Sequence, residues 1–155
     1  MMPMITMRPA VGSDSRDLFE WRNDIGTRQA SVVQDLVSVD DHERWFAESL
    51  ESSTRWIYLA IDEESGLSVG MCRFDLDAEL ASAEVSINLA PTWRGKGLAL
   101  EVLIEGVSRF RQDYGLPAPL TATIRGTNRA SERIFMKAGF ALVGTAGPFN
   151  HYRFE

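Results

Sequence analysis

Between residues 81 and 113 the sequence changes its rules twice. The stretch "ASAEVSINLA" (81–90) alternates, with Ala83, Val85, Ile87 and Leu89 on one side and Glu84, Ser86 and Asn88 on the other. That is the period of a strand with one buried face. "PTWRGKG" breaks the alternation, and "LALEVLIEGVSRFRQ" resumes with Leu98, Val102, Leu103, Gly106, Val107 and Phe110 at helical spacing. The glycine loop therefore lies between the end of a strand and the start of an amphipathic helix, and a further strand follows. "PLTATIR" (119–125) is that strand. The helix is expected over roughly 97–113, with Glu105 pairing Arg109 on its wet side.

The remaining elements follow from the same periods. Residues 4–11 read as a strand. Residues 13–25 read as a helix with Ser13, Asp14 and Ser15 as capping residues and Leu18, Trp21, Arg22 and Ile25 along it. "VDDHERWFAESLES" is a second helix with Asp40 or Asp41 as N-cap and Trp45, Phe46, Ser49 and Leu50 on its apolar side. "RWIYLAID" and "LSVGMCRFDL" flank the turn "EESG" as a hairpin. "NRASERIFMKAGF" is a short helix capped by Asn128 and ended by Gly139, and "FALVG" and "HYRFE" close the chain as strands. The order β-α-α-β-β-β-α-β-α-β-β predicts an α/β fold, a single mixed sheet with helices on both faces. One domain over residues 1–155 has enough chain for one core.

Composition removes several classes of function. Cys72 is the lone cysteine, so there is no internal disulfide, and a reducing, cytoplasmic setting fits. His42 and His151 stand far apart without paired ligands, and no metal site is expected. No apolar run is long enough to cross a bilayer, and "MMPMITMRPA" reads as a first strand rather than a leader. The net charge of −6 argues against nucleic acid and leans towards an amine-bearing ligand.

The glycine loop carries the chemistry. A helix start offers unpaired N–H groups and the positive end of the dipole. Gly95 and Gly97 clear side chains from their approach, and Arg94 and Lys96 add positive charge. This is a cradle for phosphate or pyrophosphate. A P-loop needs a longer run before its Gly-Lys-Ser/Thr. The dinucleotide fingerprint needs a third glycine or alanine where Leu100 stands.

"RGKGLA" (94–99) resembles the Arg/Gln-x-x-Gly-x-Gly/Ala signature of the GNAT superfamily of N-acetyltransferases, and "NRASERIFMKAGF" (128–140) resembles that family's second motif. The resemblance implies acetyl-CoA as co-substrate, its pyrophosphate on the N–H groups around Arg94, Gly95, Lys96, Gly97, Leu98 and Ala99. Its pantetheine arm would pair with the strand ending at Leu89, and Asn128, Ser131 and Phe135 would lie along it. Glu84 is the expected base for the amine, and a backbone N–H at Leu89 or Ala90 the oxyanion donor. Phe135 occupies the place where many members carry a tyrosine, which leaves Ser131, Tyr152 or water to protonate the departing thiolate.

For the acceptor, "LFEWRND" (18–24) with "HERWF" (42–46) is similar to the acetyltransferases of pseudaminic acid biosynthesis. That implies the 4-amino group of a UDP-linked deoxy-amino sugar as substrate. Trp21, Arg22 and Asn23 would then bind it, with Arg28 near the phosphates and Trp21 or Trp45 against a ring. The ribosomal-protein N-terminal acetyltransferases are similar in outline and imply a protein amine instead. An acyl-CoA-binding module with little catalysis is the third reading. No membrane or nucleic-acid partner is expected, and the family resemblance allows a homodimer.

Overall fold

The computed structural model describes residues 3–77, 79 and 81–155. Met1 and Met2, which open the stretch "MMPMITMRPA", lie outside them. Seven strands form one sheet: β1 (Ile5–Pro9), β2 (Arg55–Asp62), β3 (Ser68–Asp77), β4 (Ser82–Leu89), β5 (Leu120–Arg125), β6 (Ala141–Ala146) and β7 (Phe149–Phe154). Their spatial order is β1-β2-β3-β4-β5-β7-β6. Every neighbouring pair is antiparallel except β4 and β5, which run parallel and are joined through α4. The helices are α1 (Ser15–Asn23), α2 (Ile25–Ala30), α3 (Val39–Glu51), α4 (Ala99–Tyr114) and α5 (Arg129–Lys137).

Alternation along each strand sorts side chains to two cores. On β2, Tyr58 and Ala60 join Cys72, Phe74, Val85, Val102, Leu103 and Phe110 beneath α4. Ile57 and Leu59 point the other way and meet Leu18, Trp21 and Phe46 of α1 and α3. Helices therefore cover both faces. Phe110 stacks on Phe74 with ring centroids 4.3 Å apart. Each such fully buried side chain stabilises the fold by about 1.5–3 kcal/mol. Gly106 lets α4 close on the sheet, since a Cβ there would meet Cys72 Sγ at 2.6 Å.

Several local expectations shift. The helix expected over 13–25 is two helices, because Asp24 is extended (ψ 135°) and its carboxylate caps α2 by accepting from Thr27 N–H at 3.1 Å. Ile25 consequently leaves the apolar side and is exposed. Asp14 makes no N-cap bond to α1. It accepts from both Arg8 nitrogens at 2.7 and 2.8 Å and from Val11 N–H at 2.8 Å. The N-cap of α3 is Ser38 rather than Asp40 or Asp41, which sit in the first turn where the dipole favours them. Leu50 stays largely exposed, whereas Phe46 and Ser49 are buried. The long helix begins at Ala99, two residues beyond Gly97. On it Arg109 pairs with Asp113, not Glu105, and donates to Met7 O at 2.8 Å, tying α4 to β1.

Candidate active site

The parallel pair β4 and β5 stays together for only two residue pairs, Ala83 with Leu120 and Glu84 with Thr121. Beyond them β4 continues along β3 to Leu89, and β5 continues along β7 to Arg125, so the two inner edges part. Ala90 N–H donates to Val69 O on the β3 side at 2.8 Å. Because successive residues of a strand alternate, the N–H groups of Leu89 and Ile87 face the opening instead. This corrects one expectation: Ala90 N–H is already used, and Leu89 is the residue with a donor free for an oxyanion.

At the wide end of the opening the chain makes one 3₁₀ turn (Pro91–Trp93) and enters the glycine loop. Gly95 and Gly97 both adopt positive φ, 74° and 75°, a conformation that costs a side-chain-bearing residue about 1–2 kcal/mol. Arg94 N–H donates back to Pro91 O. From Gly95 to Glu101 no backbone N–H finds an acceptor among the described residues, and the first helical bond is Val102 N–H to Leu98 O at 3.0 Å. A run of free N–H groups at the positive end of a sixteen-residue helix matches the chemistry of a pyrophosphate. The parted β4 edge matches an extended amide chain. Acetyl-CoA has both parts.

Arg94 does not serve as expected. Its guanidinium turns away from the loop, bonds Asp24 at 2.8 Å and also reaches Thr27 Oγ1 and Leu89 O. These bonds hold Asp24's carboxyl below its usual range, with the Arg94 hydrogen bond the main cause. Arg94 thus fastens α2 to the end of β4 and leaves Lys96, which is exposed, as the free cation of the loop.

On α5, Asn128 and Ser131 bond each other. Asn128 Oδ1 accepts from Ser131 N–H at 3.2 Å, and Asn128 Nδ2 donates to Ser131 Oγ at 3.1 Å. Phe135 is a core residue, 3% exposed and edge-on to Phe140, so its expected place along the cofactor is corrected to one within the core. Tyr152 is buried too, and burial together with nearby Glu132 pushes its phenol up, away from easy proton release.

The other face of the sheet is polar where it faces β4 and β5. Glu84, Ser86 and Asn88 line it, with Asp75 and Arg73 of β3 opposite Glu84 and Ser86. Glu84 is exposed and accepts from Thr123 at 3.2 Å. Beside them Trp45 of α3 gathers three guanidinium groups, Arg22, Arg55 and Arg73, at 5.0, 5.3 and 5.4 Å from its ring centroid. Asp75 bonds both Arg55 and Arg73. Among the described residues Arg22 has no carboxylate. Burial, then Arg73 and Arg55, lower its pKa, the mark of a cation short of a counter-charge. Arg28 Nε is likewise buried without a partner. Arg125 donates to Ser31 O at 2.6 Å and holds the segment after α2 over this face.

Two acceptor-binding expectations are corrected. Trp21 is 7% exposed and packs in the core of α1 and α3. Asn23 engages Val37 with both halves of its amide, at 2.8 and 2.9 Å, and clamps the loop before α3. Of the three residues Arg22 lies over the Trp45 ring with no ion pair among the described residues. Arg55, Arg73 and Thr123 were not singled out from sequence, because each looks like an ordinary outward residue of an alternating strand. Among the described residues no cluster suits a metal ion, and no helix is long and apolar enough to cross a membrane.

Known proteins share this fold. The family described as acetyltransferase (GNAT) domain matches residues 4–141. No curated protein matches the sequence significantly. The crystal structure of spermidine N-acetyltransferase from Vibrio cholerae in complex with CoA and spermine superimposes with a TM-score of 0.84 at 16% identity, over 96% of this chain and 92% of that one. The dodecameric structure of spermidine N-acetyltransferase from the same organism, in an intermediate state, gives a TM-score of 0.75 at 18% identity over 96% and 91%. At such identities the likeness is one of fold. The family match spans strands β1 to β5, all five helices and the glycine loop, and the chain belongs to the GNAT acetyltransferase family.

Proposed function

We propose that this enzyme moves the acetyl group of acetyl-CoA onto a primary amine carried by an anionic molecule, and that the 4-amino group of a UDP-linked deoxy-amino sugar is that amine. The observation that carries the reading is the group of three guanidiniums around Trp45, two of which share the carboxylate of Asp75 while Arg22 pairs with none among the described residues. Guanidinium groups suit phosphate oxygens, which they bind in pairs. The structural neighbours named for spermidine act on a polycation, and a polycation entering here would meet Arg22, Arg55 and Arg73 at close range.

Acetyl-CoA supplies the acetyl group activated as a thioester. The chain's own residues supply three services. Gly95 to Glu101 offer their free N–H groups to the pyrophosphate, with Lys96 beside them. Glu84 takes the proton of the incoming ammonium, which at an ordinary pKa of about 10 arrives charged at neutral pH. Leu89 N–H, on the open edge of β4, donates to the oxygen on which negative charge develops. Phe135 has no proton to give, and a thiol with a pKa of about 8.5 leaves near neutral pH as the thiolate.

Thiol release from acetyl-CoA, measured side by side with a UDP-linked 4-amino sugar, spermidine and a short peptide with a free N-terminus, tests the reading. Turnover with the sugar and none with spermidine is expected. Turnover with spermidine or the peptide and none with the sugar refutes the anionic acceptor. Binding of acetyl-CoA without turnover of any amine would make the chain an acyl-CoA-binding module.

A further inference from the structure

Three side chains on three strands make one polar chain across the sheet. Thr123 of β5 donates to Glu84 Oε2 of β4 at 3.2 Å, and the same hydroxyl lies 3.2 Å from His151 Nδ1 of β7. The register builds this contact: Thr123 stands directly opposite His151, and Glu84 pairs with Thr121, one same-face step away. All three point to the polar face that carries the arginines. A threonine hydroxyl both donates and accepts, and imidazole readily passes protons near neutral pH.

We infer that His151 is the outlet for the proton that Glu84 removes from the acceptor amine, and that Thr123 connects the two. At rest the Thr123 hydroxyl donates to the Glu84 carboxylate. When the ammonium proton reaches Glu84, the neutral acid donates to Thr123 Oγ1, and the hydroxyl turns to His151 Nδ1. The proton of Glu84 passes to Thr123 as the proton of Thr123 passes to Nδ1. Glu84 is again a carboxylate, His151 is an imidazolium, and the amine has lost one proton. His151 then loses a proton to water. In this scheme Thr123 and His151 are positioning and relay residues, and neither needs to touch the acceptor.

The surrounding charges are already engaged elsewhere. From β5, Arg125 is turned to Ser31 O and the Phe149 ring. From β7, Arg153 pairs with Glu155 at 2.6 Å. From β3, Asp75 stands opposite Glu84 but is held by Arg55 and Arg73. β6 sets Gly144 against His151 and has no ionisable residue.

The inference rests on Glu84 being the base of the proposed reaction, so its test needs one readout that requires no acceptor. In the free protein the ¹⁵N resonance of His151 Nδ1 should move in Thr123→Val and stay in place in Thr123→Ser. An unmoved resonance in Thr123→Val overturns the inference, whatever amine the enzyme uses. With the amine that turns over fastest, Thr123→Val and His151→Gln should each lower kcat about tenfold, less than the roughly hundredfold low end for a group that takes the proton directly, and leave both KM values unchanged. Thr123→Ser should retain kcat, and the double variant should be no slower than either single one. Added imidazole should restore part of the rate to His151→Gly. Rates within about twofold of wild type for both single variants from pH 6 to 9, or a Thr123→Ser as slow as Thr123→Val, overturn it. If Glu84→Gln leaves turnover unchanged, the base assignment fails and the relay falls with it. If only spermidine turns over, the anionic acceptor fails and the relay stands on its own measurements.

Discussion

Arg22→Met separates binding from stability in a way few surface substitutions do. The guanidiniums of Arg22, Arg55 and Arg73 lie 5.0, 5.3 and 5.4 Å from one ring centroid, so neither neighbour is farther than about 10 Å from Arg22. At an effective dielectric near 20, two unit charges about 10 Å apart repel by about 1.7 kcal/mol. Asp75 offsets roughly one of the two repulsions, and the contact with Trp45 returns about 1 kcal/mol. Methionine keeps the apolar stem and removes the charge. The variant should therefore be as stable as wild type or more so, by up to about 1 kcal/mol, a Tm rise of about 2–4 °C for a chain of this size. The same change deletes a charged hydrogen bond to an anionic acceptor, worth about 1.5–3 kcal/mol. The acceptor KM should rise about 10- to 150-fold, with kcat and the KM for acetyl-CoA unchanged. Thermal denaturation beside steady-state thiol release reads both. A Tm lowered by several degrees with the acceptor KM untouched would show Arg22 to be a structural cation and refute the reasoning.

Glu84→Gln should lower kcat about a hundredfold at pH 7, with the deficit shrinking towards pH 10 as the amine arrives neutral; a pH–rate profile checks it. Gly95→Ala meets no atom within 4 Å but must hold φ at +74°. It should cost about 1–2 kcal/mol, about 2–8 °C in Tm, and raise the KM for acetyl-CoA. Gly106→Ala gains about 1 kcal/mol of helix propensity, yet its Cβ falls 2.6 Å from Cys72 Sγ and 2.9 Å from Cys72 Cβ. A net loss of about 1–3 kcal/mol is expected on denaturation, relieved by a second change, Cys72→Gly. Stability should also fall in acid through His42. Its Nε2 lies 3.0 Å from Ser15 O, its buried Nδ1 has no partner, and burial is the main reason its pKa is lowered. The unfolded chain therefore binds this proton more readily. The contribution is complete above the ordinary histidine pKa of about 6.5 and is lost as pH falls through the lower folded value. Wild type should lose more Tm than His42→Gln between pH 7.5 and 5.

What the sequence made legible was local. The alternation of residues 82–89 and the helical stripe of 98–110 depend on neighbours a few positions away, and the strands and α4 stand where those periods put them. Gly95 and Gly97 could be read because positive φ is a property of single residues. The break at Asp24 was missed because Leu18, Trp21 and Ile25 keep helical spacing across it. What ends α1 is a distant partner, Arg94, seventy residues on, which draws the Asp24 carboxylate to the end of β4. The same bond explains why Arg94 read as part of the phosphate cradle. Its position beside the glycines is local information, and the direction of its guanidinium is not.

The proposed acceptor site was the least legible part, for a reason that bears on its chemistry. Its charges come from three elements and their ring from a fourth: Arg22 on α1, Arg55 on β2 and Arg73 on β3 around Trp45 on α3. None is adjacent to another in sequence, so no motif announces them. Composition points the opposite way, since a net charge of −6 leans towards a cationic ligand. The two scales need not agree. At physiological salt the field of exposed charges fades over about 8 Å, so a ligand seated at Trp45 responds to the guanidiniums around that ring and little to the rest of the surface. Net charge shapes long-range approach, and the local arrangement decides what can stay. A chain can be acidic overall and still hold an anion, provided that its few unneutralised cations share one face with the proposed base.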